Sequence, residues 1–157
     1  MKKTLSILSL TLAAALSFNA QAYDEAMAAK IDPMISKLDH AGLLKGGCKV
    51  ALEDVLKALA AGKEKITLLD VRTPAEAKVV ALSHPSALHI PMDKLFKPEN
   101  LARLPKDGRI LVVCHSGNRA AAATALLNAA GFSNASYVNG GLIALVTNLT
   151  PKAVPVE

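Results

Sequence analysis

The sequence predicts an α/β domain: a mostly parallel central sheet flanked by helices, preceded by an N-terminal helical extension. Three observations predict it. Two compact apolar runs of strand length, Ile66 to Val71 and Ile110 to Val113, stand out from more polar surroundings. Helical periodicity returns before, between and after them, so strands alternate with helices and the connections are those of a parallel sheet. Each of the two runs ends abruptly in polar residues that open a helix, Thr73-Pro74 in one case and Cys114-His115-Ser116-Gly117 in the other. Ligands of such sheets sit at the carboxyl ends of the strands, so Asp70-Val71-Arg72 and Cys114 are expected on one shared rim.

Residues 1–22 read as a signal peptide. Lys2 and Lys3 make a positive start, Leu5 to Phe18 is an uncharged and largely apolar run, and Ala20-Gln21-Ala22 has the small-x-small pattern that signal peptidases cut. A membrane anchor is the alternative, but the run falls short of the roughly 20 residues a spanning helix needs. The acidic Asp24-Glu25 follow at once. The expectation is an exported, periplasmic chain beginning at Tyr23, with no stable membrane insertion after cleavage.

From Asp24 to Leu44, Met27, Ile31, Met34, Ile35 and Leu38 recur at helical spacing, interrupted by Pro33, which predicts one helix or two short ones packed on the domain as an extension over 23–47. Gly46-Gly47 breaks it. Cys48 to Val50 reads as a short edge strand, and Leu52, Val55, Leu56 and Leu59 mark an amphipathic helix ending near Gly62. After the strand 66–71, Thr73 as N-cap, Pro74 at the first helical position and Glu76 closing a capping box start the next helix. Ala87 to Ile90 is a short strand between prolines, and Leu101 to Leu104 a helical turn. Beyond the strand 110–113, the Ala- and Leu-rich stretch Ala120 to Ala130 is a helix stopped by Gly131. A last strand, Ala135 to Val138, and a short final helix complete a domain over 48–150, with 151–157 as a tail.

Without the first 22 residues, 135 remain, enough for one domain with a core that needs no disulfide framework. With Lys2 and Lys3 removed from the 18 basic residues, 16 stand against 13 acidic ones, a net charge of +3. That is too mild for a nucleic-acid partner, and with three Phe, two Tyr and no Trp there is little to stack on bases. Focused near one cleft, it would favour a small anionic substrate. His84 and His89 lack metal-ligand spacing, so no metal site is expected.

Of the two cysteines, Cys48 and Cys114, an exported chain could make a disulfide, and that alternative stays open at this point. Cys114 nevertheless sits where chemistry is done. A nucleophilic Cys needs a local field that favours thiolate. Cys114 ends a buried strand and precedes a helix whose free N–H groups form a positive cap, while Gly117 lets the backbone curl so that successive N–H groups point inward. Arg119 adds a permanent charge, and His115 can donate hydrogen bonds. Such a cradle holds an anion bonded to the sulfur as readily as the thiolate itself.

Leu69-Asp70-Val71-Arg72-Thr73-Pro74, Ile90-Pro91, Cys114-His115-Ser116-Gly117-Asn118-Arg119-Ala120 and Val138-Asn139-Gly140-Gly141 resemble, in order, the motifs of the rhodanese family of sulfurtransferases over roughly residues 48 to 147. The resemblance implies a single rhodanese-like domain. It also implies an activity: Cys114 takes sulfane sulfur from a donor such as thiosulfate as a persulfide and passes it to cyanide or a thiol, with no metal or organic cofactor. By the same resemblance His115, Ser116, Gly117, Asn118 and Arg119 form the cradle, and Asp70 and Arg72 line or brace the pocket, with an ion pair holding the rim as the alternative. Arg119 is equally able to pair with Glu76. The related dual-specificity phosphatases and arsenate reductases have a loop of the form Cys-x5-Arg, one residue longer, which suits a tetrahedral oxyanion; here it is Cys-x4-Arg. A non-catalytic or thiol-redox binding module is the other competing function.

The chain departs from the family in two places. Ser83-His84-Pro85-Ser86-Ala87 replaces a Gly-His-Ile-Pro-Gly-Ala pattern, so the turn there must differ. After Gly140-Gly141 the usual Trp is absent, with Leu145 nearby, which alters packing near the rim.

Overall fold

The computed structural model describes residues 23–44 and 48–148. The expected signal segment 1–22, Gly46-Gly47 and the expected tail 151–157 lie outside the described residues. Helices α1 (Glu25–Ile35) and α2 (His40–Leu44) precede strand β1 (Lys49–Val50), helix α3 (Leu52–Ala61) and strand β2 (Ile66–Asp70). Next come α4 (Pro74–Val79), β3 (Ala87–His89), a 3-10 turn at Met92–Lys94, α5 (Pro98–Leu101), β4 (Arg109–Val113), α6 (Asn118–Ala129), β5 (Ala135–Val138) and α7 (Gly141–Asn148). The five strands lie in the order β1-β5-β4-β2-β3, every neighbouring pair parallel.

Because side chains alternate along a strand, the central strands feed two cores. Leu69, Val71, Ile110, Val112 and Cys114 point to one face, where Ala120, Ala123 and Leu127 of α6 cover them. Ile66, Leu68, Leu111 and Val113 point to the other, under Leu52 and Val55 of α3 and Leu142 and Leu145 of α7. Leu69, Ile110 and Leu127 are wholly buried, each contributing about 1.5–3 kcal/mol of transfer free energy. Leu145, 7% exposed, packs in the second core.

Local signals set most element ends. Thr73 Oγ1 accepts from Glu76 N and the Glu76 carboxylate accepts from Thr73 N, the full capping box, with Pro74 inside the first turn. Gly62 closes α3 in the left-handed region, φ 59°. In the altered turn, Ala87 N donates to His84 O at 2.8 Å, while Ser86 N donates to His84 Nδ1 and Ser86 Oγ lies 2.7 Å from the same atom.

Three expectations need correction. The helical turn expected at 101–104 lies earlier, at Pro98–Leu101, because Lys97 is extended and Pro98 starts the turn. The expected helix 120–130 begins two residues sooner, at Asn118, directly on the Cys114 loop. The apolar repeat of the extension is only partly used: Met34 and Leu38 are half-buried, whereas Met27, Ile31 and Ile35, spaced four apart on one face of α1, remain 48%, 38% and 53% exposed.

Candidate active site

Strand β4 delivers Cys114 to the carboxyl edge of the sheet with its side chain on the α6 face, 1% exposed. The chain then turns sharply through His115, Ser116 and Gly117 into α6. Gly117 has φ +103°, in the left-handed region that suits glycine, and this swings its N–H back onto the sulfur at 3.1 Å. Ala120 N, in the first turn of α6, donates to the same Sγ at 3.4 Å. Two N–H groups and the positive end of a 12-residue helix thus converge on one sulfur, an arrangement that stabilises negative charge there. His115, Ser116 and Asn118 are exposed around it, and Gly117 is buried beneath.

The loop rests on α7. Leu142 N donates to Cys114 O at 2.8 Å and Ile143 N to His115 O at 3.0 Å, so the N-terminus of α7 satisfies the carbonyls that face away from the sulfur. This requires close approach at Gly141, φ +56°, where an added Cβ would meet Cys114 O at 2.5 Å and Gly117 N at 2.9 Å. The Gly140-Gly141 motif was visible in the sequence, but its role under the loop was not. The donation from Ala120 N was also missed, since any residue other than Pro supplies an N–H there.

Asp70 and Arg72 do reach the shared rim, for Asp70 lies in register with Val113 and Val71 N donates to Val113 O at 2.9 Å. Asp70, however, has the strand parity of Leu68 and Val113, which belongs to the face opposite Cys114. Its carboxylate is fully engaged by Arg72: Nη2 reaches Oδ2 at 2.6 Å, Nε reaches Oδ1 at 2.9 Å, and Arg72 N donates to Oδ1 at 3.0 Å. Arg72 Nη2 also donates to Val80 O at 2.8 Å, and the side chains are 2% and 4% exposed. The contacts show the pair bracing the rim, and Asp70 also lines a cavity of about 190 Å³ with Ala77, Ala81, Leu82, Ala87 and His89. His89 Nε2, 2.9 Å from Arg72 O, extends the brace to β3.

Arg119 stands beside Cys114 but pairs with Glu76, Nη1 to Oε2 at 2.8 Å and Nη2 to Oε1 at 2.6 Å, tying the start of α6 to the start of α4. The Arg119 hydrogen bonds, then those from Thr73, hold the Glu76 carboxyl well below the usual carboxylate range. Glu76 in turn raises the Arg119 guanidinium above its ordinary value, and the Cys114 sulfur adds to the same effect. Glu76 was legible in the sequence as a cap, and its second partner only as one option.

Cys48 lies far from this edge. Lys49, Tyr137 and Val112 are in register, so Cys48 is three residues back along the strand direction from Cys114 and two strands over. At strand spacings this is about 14 Å, twice the roughly 7 Å beyond which two Cα atoms cannot be bridged without moving the backbone. The register therefore argues against a Cys48–Cys114 disulfide within one chain, and both thiols are free.

Comparison with known proteins agrees with this geometry. Residues 51–147 match the family model for the rhodanese-like domain. The chain is 33% identical over 116 residues to the probable adenylyltransferase/sulfurtransferase MoeZ of Mycobacterium tuberculosis, covering 74% of this chain but only 29% of that protein. It is 34% identical over 95 residues to a sulfurtransferase of Allochromatium vinosum, covering 60% of this chain and 85% of that one. The crystal structure of a rhodanese-related protein from Thermoplasma volcanium shares the fold with a TM-score of 0.54 at 29% identity, over 66% of this chain and 94% of that one. With more than half its length matched, and with the strand, loop and helix order of the match reproduced in three dimensions, the chain belongs to the rhodanese-like domain family.

Proposed function

We propose that this protein is a sulfurtransferase that moves sulfane sulfur from a donor such as thiosulfate to cyanide or a thiol through a persulfide on Cys114. The observation that carries the reading is the convergence of the Gly117 and Ala120 N–H groups on Cys114 Sγ at the end of β4. In the first step the thiolate attacks the outer sulfur of thiosulfate. A new S–S bond forms on Cys114, and the old one breaks with its electron pair leaving on sulfite. In the second, cyanide or a thiolate attacks the terminal sulfur of the persulfide and returns Cys114 as thiolate. Charge stays on or next to the sulfur throughout, where the backbone donors are already aimed and need no reorganisation. His115, Ser116 and Asn118, exposed around the sulfur, meet the entering donor. The four-residue spacing to Arg119 supports a ring sized for one extra sulfur atom over one sized for a phosphoryl group.

The leader-like residues 1–22 support export to the periplasm; N-terminal sequencing of a periplasmic fraction should begin at Tyr23, and a protein retaining Met1 in the cytosol would remove that part of the proposal. For the chemistry, intact-mass and peptide mapping after thiosulfate treatment should find one added sulfur atom, on Cys114. Cys114→Ala should acquire none and release no thiocyanate, with its thermal melt preserved. Retained turnover in the variant would sink the nucleophile, and efficient hydrolysis of an aryl phosphate by the parent chain would overturn the sulfur assignment.

A further inference from the structure

The one side-chain cation of the Cys114 loop is already committed. Both terminal nitrogens of Arg119 are bound by Glu76, one to each carboxylate oxygen. Glu76 Oε2 also accepts from Thr73 N at 3.0 Å and from Thr73 Oγ1 at 2.8 Å, so the carboxylate is anchored on α4, independently of the loop it faces. Both Arg119 Nη groups are thus shared with Glu76, while the Cys114 sulfur still acts on the same guanidinium. A thiolate on Cys114, Arg119 and Glu76 together carry one net negative charge, whereas without Glu76 the thiolate and the guanidinium would cancel. A donor that brings two further negative charges meets repulsion that a singly charged donor of the same chemistry meets at half strength.

We propose that Glu76 is a charge-selecting positioning residue: by occupying Arg119 it tunes the Cys114 cradle toward singly charged sulfane-sulfur donors, thiosulfonates and persulfides, over dianionic thiosulfate. The inference rests on the sulfurtransferase reading and narrows its donor class. With a thiosulfonate, the Cys114 thiolate attacks the sulfane sulfur, the S–S bond breaks with its electron pair leaving on the sulfinate, and the persulfide formed is the same one. The two donors therefore differ in charge while sharing the product on the enzyme.

The test is steady-state turnover of the full chain with thiosulfate and with methanethiosulfonate, cyanide being the acceptor in both. Gln at position 76 keeps one acceptor oxygen for Thr73 and Arg119 but removes the charge. Glu76→Gln should lower the KM for thiosulfate relative to that for methanethiosulfonate by about fivefold, with kcat moving less. Arg119→Gln, which leaves Glu76 uncompensated, should move the ratio the other way. In the unaltered protein the KM ratio of dianion to monoanion should shrink as salt rises from about 0.05 to 0.5 M, because screening weakens the repulsion. If Glu76→Gln fails to fold, a ratio that stays flat with salt in the unaltered protein overturns charge selection by itself. A ratio that stays fixed in Glu76→Gln and flat with salt overturns charge selection. If both donors load Cys114 while the ratio stays fixed, only this inference falls; if neither loads it, the sulfurtransferase reading falls and takes this one with it.

Discussion

At the carboxyl edge of the sheet Cys114 is 1% exposed with two N–H groups on its sulfur, while Cys48, just before β1, is half-buried and its carbonyl accepts from Tyr137 N. The ion pairs differ in the same way. Asp70 and Arg72 are buried and joined by several hydrogen bonds, whereas Lys65 and Asp107, one and two residues before the starts of β2 and β4, are 81% and 72% exposed. Residue types alike in composition therefore have unlike consequences. A thiol or a charge gains a role from the groups the fold aims at it, and only the carboxyl edge, where strands run into helix N-termini, supplies inward N–H groups.

The largest effect separating the two edges should come from their ion pairs. Arg72→Met would leave the Asp70 carboxylate buried without its partner, and we expect a loss of about 3–5 kcal/mol in denaturant unfolding, with turnover falling as the rim loosens. Lys65→Met, at the opposite edge, should leave the melting temperature unchanged. Equal losses in the two variants would break the contrast between a structural brace and a solvated pair.

A smaller effect is expected from the support under the loop. Gly141→Ala forces a Cβ against Cys114 O and Gly117 N at a positive φ. The expected cost is about 1–3 kcal/mol, and sulfur transfer should fall more than stability does, because displacing the loop misaims the Gly117 N–H. Melting and turnover measured on the same preparation check this. A variant that lost stability but kept full turnover would show that α7 does not position the loop.

The smallest effect should be at Cys48. Cys48→Ala should retain most turnover and change stability by less than about 1 kcal/mol, as expected for a half-buried thiol whose side chain makes no hydrogen bond among the described residues. Loss of turnover would sharpen the comparison in the opposite sense, assigning Cys48 a part in exchange between molecules, since the register keeps it from Cys114 within one.

What the sequence determined by itself was whatever depends on short stretches of chain. The strand-length apolar runs at 66–71 and 110–113, the Thr73–Glu76 capping box, the Gly62 helix stop and the Cys114-to-Arg119 loop are written in adjacent residues, and each was legible because local backbone geometry follows from them. The alternation of elements also implied the parallel sheet and the shared rim. Only the tertiary structure decided what that rim is made of. Strand parity turned Asp70 to the face opposite Cys114, and Glu76 completed a second partnership with a residue 43 positions away. Gly141 became indispensable because α7 ends up beneath a loop made by a different segment. The exposed stripe of α1 teaches the same lesson, since helical spacing predicts that Met27, Ile31 and Ile35 share a face but not that anything covers it. Pairings between distant segments depend on how strands and helices stack, and that information is distributed over the whole core, not carried by the residues that meet.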